Sequence, residues 1–282
     1  MTRTITILLL ILTLTTCQKI KYYPDINYKE VSTKFLCHRG GGSIEYSPEQ
    51  ENTLAAAIRG FTYMDGIEID VQISKDFTVW LSHTHELSEC GGTQYSCFQS
   101  TTDKEILTLD SCNGDTFTFT RLEEVFQYMS ENCPDKYIDL DVKNWPVCGL
   151  NVDILGLMNV IGDEVIRLTE KYNLQNHIFV ESEVATFLTY VKDHSSGIET
   201  YLGTTGDFER GMQITLEKGY TGMSFKFKAD EIISEKHVQM IRQKGLKLQL
   251  YTVDSETDMR DALSINPDFI QTDNVDLAIT LQ

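Results

Sequence analysis

Two kinds of segment alternate along the chain. Short apolar or alternating runs are typical of β-strands, and the stretches between them repeat apolar residues about every 3.6 positions, which is typical of α-helices. The predicted strands are 34–38, 66–73, 136–143, 177–182, 198–203, 222–227, 246–253 and 268–273. The predicted helices are 51–64, 121–132, 154–173, 183–194, 208–219, 234–245 and 256–266.

This alternation predicts a single α/β domain. Eight strands followed by helices over about 250 residues indicate a (β/α)8 TIM barrel, with a doubly wound open sheet as the alternative. The stretch from Lys75 to about Thr120 is too long for an ordinary loop. Its start, "FTVWLSH" (77–83), predicts an additional strand. The remainder predicts a cysteine-containing insertion after the second strand, held together by disulfides.

The second strand, "GIEIDVQI" (66–73), places isoleucines on one face and Glu68 and Asp70 on the other. Both faces of a parallel barrel strand are covered, and the open, catalytic end lies at the carboxyl ends of the strands. Glu68 and Asp70 come late in their strand, as do Asp141 and Lys143 in theirs. We therefore expect these charged side chains to converge on one rim of the barrel.

Carboxylates that converge in this way repel one another, and a hard divalent cation relieves the repulsion. Glu68, Asp70 and Asp141 supply oxygen ligands, which favour Ca²⁺ or Mg²⁺ over Zn²⁺. The competing interpretation is a solvated strand face, which the barrel pattern disfavours.

His38 and Arg39 stand at the carboxyl end of the first predicted strand and reach the same rim. Arg39 is suited to bidentate phosphate binding, and Gly40 to Gly42 allow close approach of the backbone. His38 and His83 are candidates for a general acid and base, because imidazole performs both tasks near neutral pH.

The first 17 residues resemble a signal peptide, with a basic Arg3, an apolar run from Ile5 to about Leu14 and small residues before Gln18. The apolar run is too short to cross a bilayer. We expect residues 1–17 to be removed and residues 18–282 to form one exported barrel domain, periplasmic or extracellular. A lipoprotein acylated at Cys17 is a disfavoured alternative, because Thr16 is larger than the residue usual before such a cysteine.

Cleavage would leave six cysteines, and an even number in an exported chain predicts disulfide bonds. The segment "CGGTQYSC" makes Cys90 and Cys97 the favoured local pair. Buried free thiols are the alternative.

The formal charge of −18 opposes binding to nucleic acid or anionic lipid surfaces. The sequence predicts no integral membrane segment. We expect a small-molecule substrate, and the sequence does not determine an oligomeric state.

Seven motifs, in order from about Lys34 to Ala278, resemble those of the glycerophosphodiester phosphodiesterase family. They are "HRG" (38–40), "ENT" (51–53), "IEIDV" (67–71), "SKDFTVWLSH" (74–83), "LDVK" (140–143), "LYTVD" (250–254) and "FIQTDN" (269–274). The family is a (β/α)8 barrel of the phospholipase C-like type. It uses a divalent metal to hydrolyse glycerophosphodiesters to glycerol 3-phosphate and an alcohol.

The resemblance implies a role for each matching residue. His38 and His83 match the catalytic acid and base, and Glu68, Asp70 and Asp141 match the metal ligands. The residues that it places at the substrate are Arg39, Glu51, Lys143 and Tyr251.

Two other functions stay open. The first is a sphingomyelinase D-like or lysophospholipase D-like enzyme acting on lipid phosphodiesters, whose apolar flap would come from Tyr95, Phe98, Phe117 and Phe119. The second is a catalytically impaired exported barrel used for binding. It is suggested by Asp141, which replaces a family Glu, and by Thr84, which replaces an Asp beside the second histidine.

Overall fold

The structure is a computed structural model, which describes residues 32–43, 45–90, 97–109, 111–112, 115–116, 118–144, 153–204, 206–228 and 233–281. The predicted signal peptide (1–17) lies outside these residues and stays a prediction.

Strands and helices alternate as the sequence predicts. The strands are β1 (Lys34–Cys37), β2 (Gly66–Ile73), β3 (Val79–Leu81), β4 (Ser111–Cys112), β5 (Asp115–Thr116), β6 (Tyr137–Asp141), β7 (Ile178–Ser182), β8 (Ile198–Thr204), β9 (Gly222–Lys226), β10 (Lys247–Tyr251) and β11 (Phe269–Thr272). The helices are α1 (Leu54–Tyr63), α2 (Asp103–Ile106), α3 (Leu122–Asn132), α4 (Ile154–Lys171), α5 (Ala185–His194), α6 (Phe208–Lys218), α7 (Glu235–Gln243), α8 (Glu256–Ser264) and α9 (Val275–Leu281).

Eight of these strands close into a parallel barrel in the order β1, β2, β6, β7, β8, β9, β10, β11 and back to β1. The TIM-barrel prediction is therefore confirmed, and the open-sheet alternative is wrong because β1 pairs with both β2 and β11. The eight predicted strands all occur, with ends shifted by two residues or fewer. The short helix α2 and the C-terminal helix α9 were not predicted.

An aromatic layer fills the barrel interior below the rim. Tyr201 on β8 and Phe269 on β11 have ring centroids 6.3 Å apart, and because these strands are not neighbours the contact crosses the interior. Phe179 on β7 lies between them, 4.8 Å from Phe269. Glu181 follows Phe179 by two positions on β7, and Gln271 follows Phe269 by two positions on β11. Strand alternation therefore places an apolar floor beneath a polar rim.

The insertion begins with β3, which pairs antiparallel with the end of β2 and confirms the predicted additional strand. Asp103, the first residue of α2, fastens this hairpin by accepting hydrogen bonds from Ser74 (2.7 Å), Thr78 (2.5 Å) and the Trp80 indole (3.0 Å). The insertion has its own buried core, formed by Trp80, Leu87, Cys90, Phe98, Ile106 and Phe119. This packing holds the segment that carries His83 against the barrel mouth.

The cysteine prediction needs correction at two positions. Cys37 and Cys133 are free thiols. Cys37 is fully buried in the barrel wall, and this burial raises the pKa of its thiol. Cys90 and Cys97 both take part in disulfide bonds, and their pairing with each other stays a prediction. Cys148 lies outside the described residues.

The helices cover the outside of the barrel. The longest, α4, is amphipathic and buries Met158, Val165 and Leu168 against the sheet and its neighbours. In the part of the chain that the structure describes, we found no helix with both the length and the hydropathy of a membrane span.

Candidate active site

Three carboxylates meet at the carboxyl end of β2 and β6. Asp70 and Asp141 face each other in the register of these strands, and Glu68 lies two residues before Asp70 on the same face. Glu68, Asp70 and Asp141 each offer an oxygen within 4.8 Å of the other two. The structure therefore brings together the predicted metal ligands, and the shorter side chain of Asp141 reaches the cluster.

Lys143 neutralises part of the negative charge of this carboxylate cluster. Its ammonium lies 2.8 Å from Asp141 Oδ2 and donates a hydrogen bond to Asp70. Burial favours the neutral form of Asp70, but the nearby Lys143, His83 and Arg39 together outweigh this effect and lower the pKa of that carboxyl. Burial and the nearby charge of Asp70 raise the pKa of Glu68 to about 7. Burial and the charge of Glu181 raise the pKa of Asp141 well above its usual range.

The donor set fits a divalent cation. Glu68 is 1% exposed, and its Oε2 accepts a hydrogen bond from the Arg39 backbone N–H at 2.8 Å. Its other oxygen, Oε1, is buried without a hydrogen-bond partner among the described groups. A buried carboxylate oxygen with an open valence, between two further carboxylates, suits a hard oxygen-seeking metal ion.

Asp139 does not belong to this cluster. It lies one layer deeper on β6 and is fully buried. Its Oδ2 accepts hydrogen bonds from the side-chain amides of Gln249 (2.7 Å) and Gln271 (2.9 Å).

His38 follows β1 and is held by Asp273, which follows β11. His38 Nδ1 lies 2.8 Å from Asp273 Oδ1, and His38 Nε2 lies 3.7 Å from Glu68 Oε2. Burial disfavours the imidazolium ion, but the hydrogen bond to Asp273 and the charge of Glu68 outweigh it and raise the pKa of His38 to about 9.

His83 comes from a different element, the segment after β3, and lines the same cavity as His38. Burial lowers the pKa of His83 to about 4, with the charges of Arg39 and Lys143 acting in the same direction and Asp70 opposing them. The two histidines therefore stand in opposite electrostatic environments within one cavity.

The "ENT" motif performs three tasks at the mouth. Glu51 accepts two hydrogen bonds from Arg39 Nη1, at 2.8 and 2.9 Å. Asn52 donates to Asp70 Oδ2 at 3.0 Å, and its own Oδ1 accepts from the Asp70 backbone N–H at 3.0 Å. Thr53 caps α1 by accepting from the Ala56 N–H. Glu51, predicted at the substrate, thus contacts Arg39 and positions it.

A cavity of about 610 Å³ opens above the cluster. Seven of the nine predicted site residues line it: His38, Arg39, Glu68, His83, Asp141, Lys143 and Tyr251. The other two, Glu51 and Asp70, hold Arg39 and Lys143 from behind. Tyr251 lies at the end of β10, as predicted.

Three polar residues of the site were not predicted. Asp273 and Asn52 stand within motifs quoted above, but their contacts with His38 and Asp70 bridge distant parts of the chain. Glu181 lies opposite Asp141 in the register of β6 and β7 and lines the cavity. Its position near the end of a predicted strand was the one feature of the sequence that could have identified Glu181 as a site residue.

Two half-buried cationic side chains, a carboxylate cluster and a histidine pair at the carboxyl end of a parallel barrel define a class of enzyme. Arg39 and Lys143 suit a phosphate group, and the carboxylates suit a divalent ion that polarises it. The class is that of barrel hydrolases acting on phosphoric esters.

Comparison with known proteins specifies the family. The sequence profile of the glycerophosphoryl diester phosphodiesterase family matches residues 38–277, and the chain belongs to this family of phosphoric diester hydrolases. The chain is 26% identical over 258 residues to a glycerophosphodiester phosphodiesterase of Caldanaerobacter subterraneus subsp. tengcongensis, covering 89% of this chain and 98% of that protein.

Solved structures share the fold. The glycerophosphodiester phosphodiesterase of Thermotoga maritima superimposes with a TM-score of 0.67 at 21% identity, covering 89% of this chain and 98% of that one. An Oleispira antarctica phosphodiesterase, solved in complex with the product sn-glycerol-3-phosphate, gives 0.70 at 18% identity, covering 90% and 97%. At these identities the similarity concerns the fold.

Proposed function

We propose that this protein hydrolyses glycerophosphodiesters to glycerol 3-phosphate and an alcohol, with a divalent metal and with His38 and His83 as acid and base. One observation carries the proposal: both histidines line the cavity that holds the carboxylate cluster, with Arg39 and Lys143 beside it. The product complex of the Oleispira antarctica relative supports the choice of substrate.

Glu68, Asp70 and Asp141 would hold the metal, Ca²⁺ or Mg²⁺. When bound, such an ion polarises a phosphoryl oxygen and neutralises charge that develops in the transition state. The buried, unpartnered Oε1 of Glu68 supports this assignment.

The chain's own cations would bind and orient the diester. Arg39 lines the cavity, with its Nη1 anchored on Glu51 and its buried Nε 3.7 Å from Asp70 Oδ2. Two carboxylates thus fix the orientation of the guanidinium, whose cavity-facing N–H groups would donate to a phosphoryl oxygen. Lys143 adds a second positive charge at the same wall.

The electrostatic environments of the two histidines suit different roles, one as the proton donor and the other as the proton acceptor. His38, between Asp273 and Glu68, is stabilised with a proton and would donate it to the leaving alcohol oxygen as the P–O bond breaks. His83, partly buried near Arg39 and Lys143, is stabilised in its neutral form and would accept a proton from the water whose oxygen attacks phosphorus.

The lining of the cavity favours a water-soluble substrate over a lysolipid. Of the described residues that line it, Val184 is the one with an aliphatic side chain. Phe98 and Phe119, two of the four residues assigned to an apolar flap, are instead buried against each other in the insertion core, with ring centroids 5.4 Å apart. Tyr95 and Phe117 lie outside the described residues.

A chelator-controlled assay of the purified protein tests the proposal. Glycerol 3-phosphate release from glycerophosphocholine should stop with chelator and return with Mg²⁺ or Ca²⁺, and lysophosphatidylcholine should be a poorer substrate. His38→Ala and His83→Ala should each lower kcat by about 10²-fold or more, the usual contribution of a general acid or base.

His194→Ala is the matched control, because His194 is an exposed residue of α5 that stacks on Tyr190. It should leave the rate unchanged. No turnover with either metal would contradict the proposal and favour an impaired barrel used for binding. Faster turnover of lysophosphatidylcholine would favour a lipid substrate.

A further inference from the structure

The wall of the cavity opposite the carboxylate cluster carries a cation of its own. In the closed barrel, β9 lies four strands from β2 in either direction, so the end of β9 faces the strand that carries Glu68 and Asp70. Lys226 is the last residue of β9, and it lines the cavity.

Strand alternation explains why Lys226 points inward. Ser224, two residues earlier, accepts a hydrogen bond from Gln249 inside the barrel at 3.2 Å. Lys226 and Tyr251 follow these two residues by two positions each and are partners in the β9–β10 register. Both side chains therefore stand at the inner rim, one layer above the Ser224–Gln249 contact.

The charge of Lys226 is not used by the described parts of the protein. Arg39 is paired with Glu51, and Lys143 is paired with Asp70 and Asp141. Lys226 forms no ion pair or side-chain hydrogen bond with any residue in the described ranges. An exposed cation that faces a substrate cavity and has no carboxylate partner within the described ranges is suited to bind an anionic group of the substrate.

The neighbouring strand leaves room for such a group. Gly203 on β8 lines the cavity beside Ser224 in the β8–β9 register and contributes no side chain. Glu183 lines the same wall beyond it.

We propose that Lys226 is a specificity-determining residue, which binds a carboxylate on the alcohol part of the diester. This inference rests on the proposed function and deepens it, since it selects one class of head group: amino acid alcohols such as serine. Arg39 and Lys143 serve the scissile phosphate at the opposite side of the mouth, so Lys226 is available for a second anionic group.

Glycerophosphoserine and glycerophosphoethanolamine form a matched pair of probes, because they differ by one carboxylate. We expect the native enzyme with Mg²⁺ to show a kcat/KM for glycerophosphoserine about tenfold higher, the lower range for a charge-assisted hydrogen bond. Lys226→Met should remove this preference and leave the rate with glycerophosphoethanolamine nearly unchanged. Lys228→Met is the control, because Lys228 pairs with Asp258 and Asp261 instead of lining the cavity; it should keep the native preference.

Equal kcat/KM values for the two substrates in the native enzyme would overturn the inference. So would an equal loss with both substrates in Lys226→Met, which would place Lys226 at the scissile phosphate. Both results leave the proposed hydrolysis intact. Hydrolysis of neither substrate by the native enzyme would instead overturn the proposed function, and this inference with it.

Discussion

His38 Nδ1 and Asp273 Oδ1 lie 2.8 Å apart, although 235 positions separate them in the chain. His38 follows the first strand of the barrel and Asp273 the last, and these strands pair side by side. Asp273 is itself held by Asp254, whose Oδ1 accepts from the Asp273 backbone N–H at 2.7 Å. Closure of the barrel therefore determines the orientation of His38 and directs its Nε2 toward Glu68.

Replacing Asp273 by Asn should lower the pKa of His38 from about 9 toward the ordinary value near 6.5, because the neutral amide no longer stabilises the imidazolium. NMR titration of the His38 ring in the metal-free protein measures this shift. Asp276→Asn is the control, since Asp276 is 88% exposed on α9. An unchanged His38 titration in Asp273→Asn would show that another group sets this pKa.

The same substitution should affect stability in a defined pH window. Because the pKa of His38 is raised on folding, its contribution to stability is complete below about pH 6.5 and is lost as the pH rises through about 9. Asp273→Asn should therefore destabilise the metal-free protein more at about pH 6 than at about pH 10. Urea unfolding at the two pH values gives the comparison, and equal losses at both would contradict the linkage.

Sequence periodicity was sufficient to predict the barrel and the carboxylate cluster at its rim. Alternation in β2 and β6 placed Glu68, Asp70 and Asp141 on inner faces, and the carboxyl-end rule placed them at one rim. The partners of these residues were not predictable in the same way. Asp273 reaches His38 through the pairing of the first and last strands, a relation that local periodicity does not contain.

The cysteines show a second limit of the sequence. An even count predicts pairing, but whether two thiols meet depends on three-dimensional distance and direction. Cys37 lies in a barrel strand with its side chain in the core, where it packs as a small apolar residue. Cys37 is buried because the sheet closes around it, and the number of cysteines in the sequence does not predict this closure.

Metal-binding measurements can test whether the Asp141 side chain is long enough to act as a metal ligand. Its carboxylate already lies within the cluster, so we expect Asp141→Glu to retain Mg²⁺ binding and Asp141→Asn to weaken it about tenfold or more through loss of a charged ligand. Isothermal titration calorimetry on the purified variants provides the dissociation constants without reference to turnover. A large gain in affinity for Asp141→Glu would indicate that the shorter native side chain impairs the site.

Glu51 should act through Arg39. Glu51→Gln removes the charge that anchors Nη1, so the guanidinium loses its fixed orientation, and we expect KM to rise several-fold with a smaller change in kcat. Steady-state kinetics with glycerophosphocholine separates the two parameters. Glu49→Gln is the matched control, because Glu49 pairs with Arg59 at 3.7 Å instead. A fall in kcat with unchanged KM would place Glu51 in the chemical step.

The backbone of Gly42 supports the His38–Asp273 pair from the other side. Gly42 has φ +81°, and a Cβ added there would lie 2.3 Å from the backbone oxygen of Asp273, far closer than van der Waals contact allows. Gly42→Ala should therefore cost the left-handed strain of about 1 kcal/mol and, in addition, displace Asp273 from His38. Gly245→Ala separates the two effects, since Gly245 has φ +70° with no atom within 4 Å of the added Cβ. We expect both variants to lose stability in urea unfolding, and Gly42→Ala alone to lose most of its activity and to lower the pKa of His38. Native activity in a folded Gly42→Ala variant would show that the His38–Asp273 contact tolerates this displacement.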